Sequence, residues 1–357
     1  MSTNTHTNSN NDKANIRIGS NKAPDLIPME DQYWQTGPDE SGLLKANFFA
    51  FNTIVSVISY GSVETSSQAF AMARDECRRF ERLFSRTLPH SDIANINQSG
   101  GNEVEIDFDT HTVLKAAQYY CQQSQGMFDI TIGPVVALWD FQQGIIPNQE
   151  QLTSALCHVD WQGLHLRRTT LSDITGDSSS DDINTHYYAH LDDPKAAIDL
   201  GGIAKGYIAD RLAEVFRSQE LNNFCINLGG NTLASGKKPD GSAWRVGVQD
   251  PQNPNAILQT IDAIDVSVVT SGVYERCFIE NGILYHHILN PKTGYPVATD
   301  VAGVTVVAQA SIDAEGYSTT LLAMGIKPGT EFVKQHPEII QAVFVNFEGH
   351  IVMVNRS

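Results

Sequence analysis

Apolar positions follow two spacings along the chain, which separate predicted strands from predicted helices. Folded structure is predicted to begin at Ala46, where a run of aromatic and β-branched residues reaching residue 60 is typical of a strand. One helical face between Thr65 and Ser85 then carries the apolar residues Phe70, Ala73, Cys77, Phe80 and Phe84. A second helix is predicted from Asp109, a plausible N-cap, through Cys121.

The second half of the sequence alternates short apolar runs with turn residues and short helices. The runs typical of strands are Phe224–Leu228, Trp244–Gln249, Val266–Thr270, Leu284–Leu289 and Gly303–Gln309. A closing hairpin is predicted from residues 342–347 and 350–354, with its turn at Glu348-Gly349. Since strands and hairpins are mixed without regular βαβ alternation, we expect an α+β fold of mixed, largely antiparallel sheets with packed helices.

Shifts in composition mark the predicted boundaries. Residues 1–40 are polar and are predicted to form a disordered or loosely docked arm, followed by one folded unit over residues 41–357 that could contain two subdomains. The Ser/Asp-rich residues 172–187 are interpreted as a surface insertion between two strands. No apolar run is long enough to span a membrane. Residues 1–40 also lack an apolar signal region and a lipobox cysteine, so a cytoplasmic location is expected if Met1 is the natural start.

The charge balance narrows the classes of partner. Lys and Arg number 24 against 41 Asp and Glu, which gives a net charge of −17. This balance argues against nucleic acid or an anionic membrane as the main partner, because both require a basic face. A phosphate ligand stays compatible, since backbone N–H groups and a metal can bind phosphate in an acidic protein. The five cysteines form no C-x-x-C pair, so buried free thiols are predicted.

A glycine turn before an amphipathic helix is the most informative stretch. Gly201-Gly202 follows an apolar strand end, and a helix is predicted directly after it. Glycines allow close approach of a ligand, and a helix start offers unpaired N–H groups. Lys205 lies in the first turn, where the helix dipole disfavours a cation, which makes sense if Lys205 meets a phosphate. A plain tight turn explains the spacing equally well.

Further hydroxyl, carboxyl and imidazole groups lie downstream. Glu315 and Thr319 are four residues apart on a predicted helix and could hold Mg²⁺, although a capped, solvated helix start is the alternative. His286 and His287 alternate along a strand, so only one of them can serve a given site. Residues 227–231 fit a turn between strands, and residues 269–272 fit a helix cap. Cys157-His158 with His186-x₃-His190 makes a zinc site conceivable, but we do not favour it.

Seven segments, taken in order, resemble the ApbE family, the FAD:protein FMN transferases. The segments are residues 91–97, 127–141, 198–210, 227–231, 270–276, 286–296 and 315–325. The resemblance covers residues 46 to 354, and it implies that FMN is moved from FAD to a Thr or Ser hydroxyl of an acceptor flavoprotein through a phosphoester bond. It further implies Mg²⁺ and the release of AMP.

The resemblance also implies roles for individual residues. Asp199 and Lys205 are expected to contact FAD, and the Gly202 carbonyl is expected to bind Mg²⁺ together with Glu315 and Thr319. His287 is expected near the reacting pyrophosphate, where it is our candidate general base. The other residues expected around FAD are Phe51, Thr87, Met127, Phe128, Asp129 and Ile288.

Several of these positions depart from the family pattern. Phe51 lies where the family has a methionine, Thr87 lies where an aromatic residue often stacks on the flavin, and Glu315 replaces an aspartate. Two alternatives to protein flavinylation therefore stay open. One is hydrolysis of FAD to FMN and AMP by the same site, and the other is binding of FAD without cleavage.

Overall fold

The structure is a computed structural model, and it describes residues 33–170 and 185–356. The helices are α1 (Val63–Phe84), α2 (Asp92–Gln98), α3 (Phe108–Gln123), α4 (Gly133–Val136), α5 (Gln149–Leu156), α6 (Ala204–Ser218), α7 (Ser311–Met324) and α8 (Ile326–Gln335). The strands of the first part are β1 (Trp34–Thr36), β2 (Leu44–Ala50), β3 (Thr53–Ser59), β4 (Val104–Ile106), β5 (Leu164–Thr170) and β6 (Thr185–Leu191).

The remaining strands supply most of the central sheet. They are β7 (Phe224–Leu228), β8 (Asn231–Ser235), β9 (Trp244–Asp250), β10 (Asn253–Ala263), β11 (Val266–Gly272), β12 (Cys277–Glu280), β13 (Ile283–His286), β14 (Val301–Ala308), β15 (Ile339–Asn346) and β16 (Ile351–Asn355). Nine strands form one sheet in the order β1-β2-β3-β7-β8-β11-β14-β15-β16, and each neighbouring pair is antiparallel. The predicted α+β class with largely antiparallel sheets is therefore confirmed.

Three small sheets are formed by segments that lie, in the sequence, between strands of the central sheet. They are the ribbons β9–β10 and β12–β13 and the three-stranded sheet β4-β6-β5. Each one returns the chain to the central sheet, so that β3 pairs with β7, β8 with β11 and β11 with β14. The excursions therefore place additional side chains around the sheet without interrupting its antiparallel register.

The largest core cluster lies between the central sheet and the helices α1, α6 and α7. Phe70 and Phe80 of α1 are fully buried, as are Phe216 of α6 and Leu321 of α7. Strand β14 is buried along its whole length, because the β9–β10 ribbon and its neighbours cover the other face in a second cluster around Trp244 and Val343. Burial on both faces explains why this strand is a continuous apolar run.

Side-chain hydrogen bonds cap the starts of α1 and α3. Ser62 accepts a hydrogen bond from the Thr65 N–H at the start of α1, and Asp107 accepts one from the Asp109 N–H at the start of α3. Helix α3 therefore begins one residue before the predicted N-cap, and Asp109 lies inside it. The predicted strand over residues 284–289 ends at His286, where the chain turns away from β12.

Folded structure begins earlier than predicted. Strand β1 lies inside the stretch expected to be an arm, and it pairs with β2 through Trp34–Asn47 and Thr36–Lys45. Residues 1–32 lie outside the described residues, as do residues 171–184. These include all of the insertion predicted over residues 172–187 except its last three residues, which begin β6. All five cysteines are free, but the prediction of buried thiols holds only for Cys77 and Cys121, since Cys225 and Cys277 are partly buried and Cys157 is exposed. Among the described residues, no helix is both long and apolar enough to cross a membrane.

Candidate active site

A tight glycine turn leads into α6. The Asp199 N–H donates to the Ile130 carbonyl at 2.8 Å, and Oδ1 of Asp199 accepts from the Gly201 N–H at 2.7 Å. Gly202 lies against the ring of Phe128, where an added Cβ would be 2.9 Å from Cε2. Only glycine allows this approach without displacing the ring. The aromatic residue of the 127–129 segment therefore supports the turn directly.

An ion pair joins the first turn of α6 to α7. Nζ of Lys205 lies 2.6 Å from Oε1 of Glu315, whose residue is only 5% exposed. Oε2 of Glu315 accepts from Nδ2 of Asn231 at 2.6 Å. A buried carboxylate is costly unless it is paired and hydrogen-bonded, so these two donors hold the charge of Glu315 inside the protein. The charge of Glu315 also explains how a lysine can occupy the unfavourable first turn of a helix.

Helices α6 and α7 cross in close contact at this ion pair. A Cβ added at Gly206 would lie 2.7 Å from Cβ of Glu315 and 2.7 Å from the Ser311 carbonyl oxygen. One turn further along α6, the carboxylate of Asp210 accepts from the N–H groups of Ser311 at 2.8 Å and Ile312 at 2.9 Å. Burial raises the pKa of Asp210 to about 6. Asp210 thus caps α7 from another helix and fixes where Glu315 lies.

The two polar turns noted in the sequence support α7 from the sheet side. Residues 229–230 form the turn between β7 and β8, as predicted, and the next residue, Asn231, accepts from Oγ of Ser311 at 2.7 Å. The helix cap expected at residues 269–272 is wrong, because these residues belong to β11. There Ser271 Oγ is 2.8 Å from Ser318 Oγ, so the hydroxyl ties the strand to α7.

Three oxygen-bearing groups of this region suit a hard divalent cation. They are the carbonyl of Gly202, the carboxylate of Glu315 and the hydroxyl of Thr319, which is one helical turn beyond Glu315. Each Glu315 oxygen accepts one protein hydrogen bond, whereas a carboxylate offers about four lone-pair sites, so capacity for a metal is left. Mg²⁺ prefers such oxygen ligands and keeps several waters. The donor set therefore fits Mg²⁺.

The predicted strand alternation of His286 and His287 does not apply, because β13 ends at His286. His286 is buried at the end of β13, while His287 is partly buried just beyond it. The backbone N–H of His287 donates to the Arg276 carbonyl at 3.1 Å. Burial, followed by the positive charge of Arg276, lowers the pKa of His287 to about 3. Nδ1 of His287 is buried and has no hydrogen-bond partner among the described residues. The imidazole is therefore neutral at pH 7.

The remaining candidates include Asp199, Thr87 and Asp129. Oδ2 of Asp199 pairs with Nε of Arg86 at 3.1 Å, which brings the loop carrying the exposed Thr87 beside the turn. Asp129 is buried, and its Oδ1 accepts from the N–H and hydroxyl of Thr131. Burial raises the pKa of Asp129.

The other members of the set are Met127, Ile288 and Phe51. Met127 is partly buried, and Ile288 is buried with its carbonyl accepting from the Val297 N–H at 3.0 Å. Phe51 has a φ of 54° and donates its N–H to Glu81 of α1 at 2.9 Å. Among the described residues, no hydrogen bond ties Phe51, Met127 or Ile288 to the pair of Lys205 and Glu315.

A cavity of about 350 Å³ opens between the central sheet and the β9–β10 ribbon. Asn227, Gly230, Thr270 and Glu275 line one side of it, and Trp244 and Arg245 line the other. Gly230 directly precedes Asn231, the residue that donates to Glu315. The cavity therefore adjoins the support of the ion pair.

Sequence reasoning missed Asn231 and Asp210 as site residues, although both lie inside quoted segments. The signal that could have found Asp210 is its spacing: it lies four residues after Gly206 and therefore shares a helix face with it. The disfavoured zinc set is not assembled, since His158 bonds Asp193 and His186 bonds Glu105 separately. Asp313 accepts a hydrogen bond from the Tyr120 hydroxyl at 2.6 Å.

Comparison with known proteins identifies relatives of this chain. The ApbE family model matches residues 51–344. A Treponema pallidum (strain Nichols) protein named FAD:protein FMN transferase is 30% identical over 280 residues, which cover 74% of this chain and 73% of the relative. A Klebsiella pneumoniae (strain 342) protein of the same name is 31% identical over 280 residues, which cover 77% of this chain and 81% of the relative.

Solved structures show the same fold. The ApbE protein of Thermotoga maritima MSB8 has a TM-score of 0.75 and 28% identity, covering 90% of this chain and 97% of that chain. The flavin transferase ApbE of Vibrio cholerae has a TM-score of 0.73 at 22% identity, covering 88% and 97%. Because the family model matches most of this chain, the chain belongs to the ApbE family.

Proposed function

We propose that this protein is a Mg²⁺-dependent FAD:protein FMN transferase. It transfers FMN from FAD to a Thr or Ser hydroxyl of an acceptor flavoprotein through a phosphoester bond and releases AMP. The observation that carries the proposal is the ion pair of the partly exposed Lys205 with the buried Glu315 beside the Gly201-Gly202 turn. Family membership and the names of the relatives support the same activity.

The reaction is a displacement at the phosphorus atom of the FMN half of FAD. The acceptor hydroxyl oxygen forms a bond to that phosphorus, and the bond from the phosphorus to the bridging pyrophosphate oxygen breaks. The electron pair of the broken bond leaves with AMP, and the hydroxyl proton passes to a base. Such transfers depend mainly on positioning and on stabilisation of the phosphate charge.

Lys205 and Glu315 have different electrostatic roles in the proposed reaction. In the proposed complex, Nζ of Lys205 donates to a phosphate oxygen of FAD, while Asn231 continues to hold Oε2 of Glu315. The Gly202 carbonyl, Glu315 and Thr319 would hold Mg²⁺, which when bound neutralises charge on the pyrophosphate. The close crossing of α6 and α7 keeps these groups in fixed positions.

His287 is proposed to take the proton from the acceptor hydroxyl. A base must be unprotonated at the working pH, and the lowered pKa of His287 meets this condition. Its low basicity also means that it accepts the proton only as the hydroxyl becomes acidic during attack. Asp199, Phe51, Thr87, Met127, Phe128, Asp129 and Ile288 are proposed to line the FAD site.

The test combines the protein with FAD, Mg²⁺ and an acceptor flavoprotein of a known family member, followed by mass spectrometry and AMP measurement. An acceptor mass increase equal to esterified FMN, together with AMP, is the expected result. Free FMN and AMP without an adduct would identify a pyrophosphatase instead, and intact bound FAD would identify a binding protein.

Variants at Glu315 connect the reaction to the ion pair. Glu315→Gln removes the charge, and Glu315→Asp shortens the side chain by one methylene, about 1.5 Å, so both are expected to release AMP more slowly. Glu331→Gln is the matched control, because this exposed α8 glutamate lies on the surface and pairs with Lys334 at 2.8 Å. Equal, metal-independent rates in all variants would remove Glu315 from the mechanism.

A further inference from the structure

Two histidines face each other on the outer surface of the small sheet β4-β6-β5. His165 of β5 and His190 of β6 are directly opposed in the antiparallel register. Their rings are stacked, with centroids 4.8 Å apart and an angle of 23° between the planes. Opposed side chains of antiparallel strands are held close by the backbone ladder, so this proximity does not depend on a flexible loop.

A single carboxylate reaches both rings. Asp192 follows β6 directly, and its Oδ2 lies 2.8 Å from Nε2 of His165, while its Oδ1 lies 3.8 Å from Nε2 of His190. The backbone N–H of Asp192 donates to the Gly163 carbonyl at 2.9 Å, which fixes the residue beside the start of β5. The three ligand atoms lie within 4.8 Å of one another.

We propose that His165, His190 and Asp192 form a binding site for a divalent transition metal of the Zn²⁺ class. Imidazole nitrogen together with carboxylate oxygen is a ligand set that Zn²⁺ accepts. Tetrahedral ligands at Zn–N distances of about 2.0–2.1 Å lie about 3.3 Å apart, so the contacts of 2.8 and 3.8 Å bracket the required spacing. Small side-chain rotations close the site.

The surroundings favour a cation here. Arg167, the nearest cation on this face of β5, is bound by Glu103 at 2.6 Å and its guanidinium lies over the Tyr188 ring, so it is already neutralised. His165 and Asp192 are exposed, which gives a metal direct access from solution. Three protein ligands leave at least one coordination position open for water or an exogenous group.

Two other histidines offer a matched control. His158 lies 2.7 Å from Asp193, and His186 lies 2.6 Å from Glu105, so each of these histidines also pairs with one carboxylate. Neither belongs to the converging set. Replacing this pair removes as many imidazoles as replacing His165 and His190, but it leaves the proposed site complete.

The experiment is calorimetric titration of the full chain with ZnCl₂ in the presence of excess Mg²⁺, which would fill the separate Mg²⁺ site proposed at Gly202, Glu315 and Thr319. We expect one Zn²⁺ per chain, with the double variant His165→Gln/His190→Gln weakened about a hundredfold or more, since even changes outside the ligand shell cost ten- to a hundredfold. The double variant His158→Gln/His186→Gln should bind as wild type does. Absorption of bound Co²⁺ should be lost in the first variant only.

Three results would overturn the proposal. They are wild-type protein that does not bind Zn²⁺ below about 100 µM, equal binding by the wild type and the His165→Gln/His190→Gln variant, and equal weakening in both double variants. A wild-type-like urea midpoint of the His165→Gln/His190→Gln variant, measured without metal, verifies that it folds. This site is independent of the proposed function, so its failure leaves that proposal unchanged.

Discussion

The crossing of α6 and α7 at Gly206 gives the sharpest test of how this fold positions its reactive groups. In Gly206→Ala, the new Cβ would lie 2.7 Å from both Cβ of Glu315 and the Ser311 carbonyl oxygen, and 2.8 Å from Cα of Ile312. None of these atoms is the end of a flexible side chain. Since carbon atoms pack at about 3.5–4.0 Å, the helices must separate by about 1 Å.

The separation should affect the rate more than the stability. Overpacking costs about 1–3 kcal/mol, but alanine in place of glycine returns up to about 1 kcal/mol of helix propensity. The net loss of unfolding free energy should therefore be about 0–2 kcal/mol. A displacement of about 1 Å between Lys205 and Glu315 can cost about a hundredfold in rate, which corresponds to about 2.7 kcal/mol in the barrier.

The assay is Mg²⁺-dependent AMP release from FAD, measured alongside urea unfolding. Gly163→Ala serves as the control, because an added Cβ there meets its nearest neighbour, Cβ of Asp192, at an ordinary 3.6 Å. Wild-type activity in a folded Gly206→Ala protein would refute the reasoning, since it would mean that the spacing of the two helices does not limit the reaction. Equal losses in both alanine variants would refute it as well.

Four further predictions follow from the same contacts. Lys205→Ala should weaken FAD binding about tenfold or more, because a charged hydrogen bond contributes about 1.5–3 kcal/mol, and calorimetry showing unchanged affinity would contradict the phosphate role. Asn231→Leu leaves Oε2 of Glu315 without its donor and should slow AMP release by at least about tenfold, with unchanged rates counting against its supporting role. FAD should bind more tightly than FMN by calorimetry, because the adenylate half adds contacts near Asp199, and equal affinities would exclude those contacts. The pKa of His287 is about 3 in the folded state and about 6.5 when unfolded, so its contribution to stability is complete above pH 6.5 and is lost as the pH falls toward 3. Urea midpoints at pH 7 and pH 4.5 should therefore differ more for wild type than for His287→Gln, and identical differences would argue against a buried neutral imidazole.

Much of the candidate site was visible in the sequence because the relevant groups are close along the chain. The Gly201-Gly202 turn, Lys205 in the first helical turn and the four-residue spacing of Glu315 and Thr319 all follow from local geometry. The antiparallel architecture was also predictable, since alternating apolar runs and a hairpin turn at Glu348-Gly349 encode strand pairing locally.

Contacts between distant segments could not be derived in this way. Lys205 was interpreted as a cation that binds a phosphate, but in the structure it pairs with Glu315, 110 residues away. Asn231 and Asp210 were read as parts of a turn and a helix. The hydrogen bond of Asn231 to Glu315 depends on β8 lying beside α7, and the hydrogen bonds of Asp210 to the start of α7 depend on the crossing of α6 and α7. The cap expected at residues 269–272 became part of a strand for the same reason.

The sequence by itself thus determined the fold class and the types of functional group, because periodicity and turn chemistry act over a few residues. Tertiary structure decided which groups meet. The pairing of Lys205 with Glu315 and the meeting of His165, His190 and Asp192 depend on helix crossing and strand register, which are set by burial of the whole core. Burial is a collective property, so these encounters become defined only when distant elements pack together.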